Sequence, residues 1–316
     1  MRPSSPHDLL KAAQEGDRGS LARLLSLVER GGEGARQVGR VAYGQAGHAY
    51  TVGITGSPGA GKSTLTSALV AYVRSTGERL AVLAIDPSSP YTGGAILGDR
   101  VRMGQHTLDD GVFIRSMATR GHLGGLTLAA PEAIRVLGAA GFPWVVVETV
   151  GVGQVEVEVA GAADTTVVVV NPGWGDSVQA NKAGLMEIAD IFVVNKADRD
   201  GAKQTARDLE SMLDLTTSGR WRPPVIPAVG TTGDGAPELW EAIVRHRRTI
   251  ETSGELAHRR DLRLREELDL IVAKRLRAKA ESLLDADGVA SVEADVRAGR
   301  LDPWAAADQL LAPLDA

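Results

Sequence analysis

The stretch Gly56-Ser57-Pro58-Gly59-Ala60-Gly61-Lys62-Ser63 has the residue types and spacing to hold phosphates. It fits the pattern G-x-x-x-x-G-K-[ST]. There, glycines let backbone N–H groups turn inward, the lysine reaches the outer phosphates, and the serine hydroxyl is a hard ligand for Mg²⁺. The flanks agree. A strand-type run at 50–55 precedes it, and a helical run over 64–74 follows, with Leu65, Ala68, Leu69 and Tyr72 three or four apart. A helix N-terminus at Lys62, Ser63 and Thr64 adds partial positive charge facing an anion. A chance Gly-rich turn would lack this context, so residues 56–64 read as a cradle for a nucleoside triphosphate.

Asn195-Lys196-Ala197-Asp198 closes the apolar run Ile191-Phe192-Val193-Val194. An N-K-x-D at the C-terminal end of a strand suits guanine. The Asp198 carboxylate accepts from guanine N1–H and the exocyclic amine, a donor pattern adenine lacks, while the Lys196 stem can lie over the purine. Four residues alone are a weak motif. On a later strand of the same sheet they become a strong one, because α/β sheets bind ligands beyond strand C-termini. The sequence therefore reads as GTP-binding rather than ATP-binding. The loop at Pro227-Ala228-Val229-Gly230 falls where a backbone N–H of Ala228 or Val229 would meet guanine O6.

Three acids are candidates for the metal. Glu148, in Glu148-Thr149-Val150-Gly151, ends an apolar run where an acid would hold Mg²⁺ through water and the glycine N–H would meet the γ-phosphate. Asp86 ends the second strand-type run, and Asp99 lies in a Gly-rich stretch. Mg²⁺ takes oxygen ligands, few of them from protein. Ser63 directly, with Asp86, Asp99 and Glu148 mostly through water, is the candidate set. Taken singly, each aspartate is equally a turn or cap residue. His106 and His122 stand alone and read as structural or surface residues.

The elements needed to place these residues are those of an α/β protein with a mainly parallel sheet covered by helices on both faces. Strands are expected at 50–55, 79–85, 111–116, 143–149, 165–171, 190–195 and 223–228. Helices are expected at 64–75, 127–140, 178–188, 201–213 and 237–251. Before the sheet, residues 8–46 show helical spacing broken at Gly31-Gly32. Beyond Gly254 an apolar stripe through Leu268, Ile271, Val272, Leu276 and Leu283 marks a long helix, with shorter ones near 291–299 and 303–311. The expected division is 1–48 as an N-terminal helical segment, 49–253 as the P-loop domain and 254–316 as a C-terminal helical arm. The arm is either a cap on the sheet or an oligomerisation element.

At 316 residues and 43% hydrophobic, the chain can bury a full α/β core. A net charge of −5 gives no general basis for binding nucleic acid or an anionic membrane. The absence of cysteine excludes disulfides, thiolate metal sites and thiol catalysis. No apolar run reaches spanning length, and the polar N-terminus lacks a secretory core. A cytoplasmic protein is expected.

Residues 56–64, 84–89, 92–103, 148–154 and 195–198 together resemble the MeaB/ArgK-type GTPases, in the metallochaperone-like group of P-loop GTPases, where Glu replaces the usual Asp before x-x-G. The resemblance covers about residues 8–312. It implies a GTPase with Mg²⁺ that chaperones an adenosylcobalamin-dependent acyl-CoA mutase, chiefly methylmalonyl-CoA mutase, gating cofactor loading and protecting the enzyme. It also implies a homodimer built partly through the C-terminal helices. In such a protein Lys62 and Glu148 serve hydrolysis. Gln154 is a candidate to position water, and Lys182, closing a switch segment at 171–182, a candidate to supply positive charge when the partner binds. Arg100, Arg115 and Arg120 are alternatives for that charge. The chain departs from the family at Trp174, Ser177 and Val155, which leaves a relative of methylmalonyl-CoA mutase acting on another acyl-CoA as the alternative client. Competing classes are a metal-delivery GTPase of the same group and a transport-associated protein kinase.

Overall fold

The computed structural model describes residues 5–45, 49–86, 104–106, 108–118, 125–149, 161–173, 184, 186–216, 221–283 and 286–312. The chain divides into a compact unit over Met1–Asp261 and a second over Leu262–Ala316.

The first unit begins with three helices, α1 (Pro6–Gln14), α2 (Arg18–Arg30) and α3 (Gly32–Tyr43). The break at Gly31-Gly32 falls where the glycines predict it. A second break, not expected from spacing, precedes α2: Asp17 caps that helix by accepting the Gly19 N–H at 2.9 Å.

A seven-stranded sheet follows, with β1 (Tyr50–Thr55), β2 (Leu80–Asp86), β3 (Val112–Ala118), β4 (Trp144–Thr149), β5 (Thr165–Val170), β6 (Ile191–Asn195) and β7 (Val225–Ala228). Its order is β3-β2-β4-β1-β5-β6-β7, and every pairing is parallel. Each expected strand is found, displaced at its ends by no more than two residues. Helices α4 (Lys62–Ser75), α5 (Gly125–Ala139) and α6 (Ala202–Thr216) lie between strands, and α7 (Ala236–Thr252) follows β7. The helix expected at 178–188 falls largely outside the described residues.

Alternation along the strands sends successive side chains to opposite faces. On one face Val145 and Val147 of β4 join Leu83, Ile85 and Phe113 beneath Leu10, Leu24 and Leu25 of the N-terminal helices. The N-terminal segment thus shares a core with the sheet. On the other face Val52, Ile54, Val146, Val167 and Val193 pack against Leu65 and Leu69 of α4 and Leu239 and Ile243 of α7. A third cluster joins Val168, Phe192 and Val194 to Leu209 and Leu213 of α6. Burial on both faces is why these strands read as continuous apolar runs.

Helix α8 (Glu255–Leu283) starts in the first unit. The second unit also contains α9 (Ala286–Arg297) and α10 (Pro303–Leu311), the latter capped by Asp302. No helix among the described residues is long and apolar enough to cross a membrane.

Candidate functional site

Strand β1 delivers the chain to the glycine loop, and α4 carries it away. Gly56, Gly59 and Gly61 adopt φ of 135°, 75° and 89°, the left-handed side that L side chains resist. Two of them are also required by space. A Cβ on Gly56 would overlap the Val169 carbonyl oxygen of β5, and one on Gly61 would press on the Asn195 amide. Ser57 is half-buried, Pro58 and Gly59 are exposed, Ala60 is fully buried and Thr64 lies half-buried in the first turn of α4.

The two residues with chemistry in this loop are both buried. Lys62 Nζ donates to the carbonyls of Gly56 at 2.6 Å and Ser57 at 3.1 Å, so its ammonium sits inside the loop. Ser63 Oγ donates to Glu148 Oε1 at 2.5 Å. Glu148 is 2% exposed, and β4 lies next to β1 in the sheet. A serine hydroxyl and a carboxylate meeting at the start of α4 are both hard oxygen donors, the set Mg²⁺ prefers. Asp86 closes β2 two residues beyond Ala84, the register partner of Glu148, so its backbone lies at the same end of the sheet. Asp99, Gln154 and Lys182 lie outside the described residues.

The N-K-x-D residues divide their labour. Asn195 is 2% exposed and faces the protein. Its Nδ2 donates to the Ala60 carbonyl at 2.8 Å and the Gly61 carbonyl at 3.3 Å, while its Oδ1 accepts the Gly230 N–H at 3.0 Å. It therefore braces the phosphate loop against the loop after β7. Lys196 adopts φ 57°, and its Nζ donates to the Gly59 carbonyl at 2.7 Å, laying its stem across the site. Asp198 is exposed in the turn that follows.

The loop after β7 corrects one expectation. Val229 N–H donates to the Asp234 carbonyl at 2.9 Å, closing the 229–234 turn, so this amide is engaged within the protein rather than aimed at a base. Ala228 is the register partner of Asn195 and accepts the Ala197 N–H at 2.9 Å. Gly230 was not singled out by motif. A Cβ there would lie 3.0 Å from the Leu65 nitrogen of α4, and the glycine-rich run at 230–235 was the available signal.

Arg115 is committed elsewhere. It pairs with Glu29 at 2.8 Å and donates to Ser26 Oγ at 3.1 Å, both on α2. Arg100 and Arg120 lie outside the described residues, as does His122. His106 is buried and structural: its Nε2 lies 3.2 Å from Ser67 Oγ and 3.1 Å from the Ser67 carbonyl of α4. Two turns along α4, Arg74 grips Asp109 through both carboxylate oxygens, at 2.8 and 3.0 Å. That hydrogen bond holds Asp109 below the usual carboxylate range against a smaller opposing effect of burial.

Comparison with known proteins gives a consistent answer. The family model described as methylmalonyl Co-A mutase-associated GTPase MeaB matches residues 21–284. A Pyrococcus abyssi protein with a provisional GTPase name is 50% identical over 308 residues, spanning 96% of this chain and 95% of that one. GTPase ArgK of Escherichia coli is 38% identical over 256 residues, 78% and 77% of the two chains. A solved structure described as a LAO/AO transport system kinase aligns with a TM-score of 0.72 at 27% identity, covering 98% of each chain.

Proposed function

The chain belongs to the MeaB family of methylmalonyl-CoA mutase-associated GTPases, and from that premise we propose that it hydrolyses GTP slowly while chaperoning an adenosylcobalamin-dependent acyl-CoA mutase. The client is methylmalonyl-CoA mutase or a close relative, and the chaperone gates its cofactor loading and protects it. The observation that carries the GTPase part is the buried Ser63–Glu148 pair at the start of α4, joined through the phosphate loop to Asn195. The mutase part is supported by the family's description.

In this reading, residues 56–64 bind the phosphates through backbone N–H groups, and Lys62 exchanges its loop carbonyls for phosphate oxygens. Ser63 and Glu148 would hold Mg²⁺ together with Asp86 and Asp99. The metal would neutralise charge on the phosphates during transfer, which needs positioning and electrostatics rather than covalent help from protein. Glu148 would also orient water there. Lys196 and Asp198 receive the guanine base, and Ala228 borders it. Gln154 and Lys182 are assigned to water positioning and to the charge supplied on client binding. The protein acts in the cytoplasm as a homodimer through the C-terminal helices. Leu268, Val272 and Leu276 of α8 are 58%, 46% and 50% exposed, which supports a partnered face there. Sedimentation of the purified chain tests that assembly.

The deciding experiment is GTP hydrolysis by the purified chain with and without a panel of adenosylcobalamin-dependent acyl-CoA mutases. Stimulation by one mutase names the client. Intact GTP turnover with no stimulation by any would remove the partner from the reading. The kinase name of the structural relative supports a second reading, which transfer of label from γ-labelled ATP to protein would reveal. A metal-delivery role has less support: the chain has no cysteine and six scattered histidines.

A further inference from the structure

At the end of the sheet opposite the phosphate loop lies a charged cluster with no part in the reading above. Asp164 precedes β5 and Asp190 precedes β6, and both are buried. Asp164 Oδ2 accepts the Thr51 N–H at 3.0 Å and the Thr51 hydroxyl at 2.9 Å, stitching the lead-in of β5 to β1. Asp190 Oδ2 accepts the Thr166 N–H at 2.8 Å, stitching the lead-in of β6 to β5. Each acid also receives an arginine from the start of α8. Arg260 forks onto Asp164 at 2.6 and 3.1 Å, and Arg259 spans both oxygens of Asp190 at 3.2 Å.

The same two strands are gripped at their other ends by the phosphate loop. Gly56 packs against the Val169 carbonyl of β5, and Asn195 of β6 bonds Ala60 and Gly61. On each strand five residue steps of about 3.3 Å separate the two grips, from Asp164 to Val169 and from Asp190 to Asn195. Both strands are wholly buried, and a close-packed interior transmits displacement rather than absorbing it. Adjacent arginines on one helix thus engage the two strands that the nucleotide loop also engages.

We propose that Arg259 and Arg260 are positioning residues that couple the seating of the α8 root to the nucleotide bound at the phosphate loop. Exchange of GDP for GTP then changes the opening of α8, and by reciprocity a load on α8 changes nucleotide affinity. This rests on the GTP-binding reading of the site. The alternative is a plain anchor, indifferent to nucleotide.

Hydrogen exchange of the full chain separates the two. In the parent, amides at the start of α8 exchange at rates differing at least about threefold between GDP and a non-hydrolysable GTP analogue. In Asp164→Asn/Arg260→Met, which removes both charges together, that difference falls below about 1.5-fold while GDP affinity stays within about twofold. Should that pair melt, Arg260→Lys, which keeps the charge and loses the fork, at least halves the difference. A parent that binds both nucleotides with identical exchange in α8 would overturn the coupling, and so would a folded variant that keeps the parent's difference. A parent that binds no guanine nucleotide overturns the reading of the site as well.

Discussion

Replacing Asn195 by alanine would remove three hydrogen bonds, two donated to Ala60 and Gly61 and one accepted from Gly230, at a residue 2% exposed. The bond at 3.3 Å is the weakest of them. The two shorter bonds contribute about 0.5–1.5 kcal/mol each, and the part-buried Gly230 N–H left without its acceptor adds about 1 kcal/mol. The total is about 2–4 kcal/mol, shared between the fold and the loop's readiness for phosphate. If half or more falls on binding, GTP and GDP affinities drop together by about tenfold, since about 1.4 kcal/mol is a factor of ten. The remainder lowers the melting temperature. Asn195→Asp is nearly isosteric yet should be worse than alanine. It keeps the acceptor for Gly230 but turns a charged oxygen onto the Ala60 and Gly61 carbonyls in a buried site. Titration calorimetry with both nucleotides, alongside thermal melts, measures both parts. An Asn195→Ala chain within twofold of the parent in affinity and unchanged in melting would refute the brace, as would an aspartate variant that outperforms alanine.

Other consequences are open to direct measurement. Glu148→Gln keeps the shape of the side chain and removes its charge beside Ser63, so Mg²⁺-dependent GTP turnover should fall on the order of 100-fold with GDP binding retained; single-turnover kinetics and GDP titration check the split. Gly56→Ala would drive a Cβ into the Val169 carbonyl at a φ of 135°, a strain of about 1–3 kcal/mol that should appear as a lower melting temperature and weaker nucleotide binding. Asp190 is held below the usual carboxylate range: burial alone would raise it, but His246 and Arg259 beside it and the Thr166 amide prevail. A depressed carboxylate contributes stability that is present above its unfolded value near 3.8 and lost as pH falls through the lower folded value. The melting-temperature gap between the parent and Asp190→Asn should therefore be full at pH 7 and shrink below about pH 4; a gap unchanged at pH 3 would reject this account.

The phosphate loop was legible because its pattern is local: eight consecutive residues with a strand before and a helix after. The sheet was legible because strands such as Thr165–Val170, buried on both faces, leave a largely continuous apolar run. The structure departs from the sequence reading where the deciding partner is distant along the chain. Nothing in the four residues of N-K-x-D shows that Asn195 faces Ala60 rather than a base, because that bond spans 135 residues. No motif marks the Asp234 carbonyl as the acceptor of the Val229 amide either. Arg259 and Arg260 read as ordinary charges on an amphipathic helix, since their aspartates lie 69 and 96 residues away. The break before α2 was readable in principle from Asp17 and Gly19, a capping pattern that apolar periodicity does not register.

The two faces of the sheet have different schedules during synthesis. The cluster beneath the N-terminal helices is drawn from Leu9 through Val147, so it is complete once β4 has left the ribosome. By then the glycine loop, Ser63 and Glu148 have all been made. The opposite cluster needs Ile191, Val193, Leu239 and Ile250. In the interval β1 has β4 on one side and awaits β5 on the other, an open edge next to half-covered apolar side chains. A nascent chain stalled between β4 and β5 would thus hold the glycine loop, Ser63 and Glu148 without Asn195, which braces that loop. Asn195 and the loop after β7 come later, and until β5 is made the open edge of β1 is exposed to other chains.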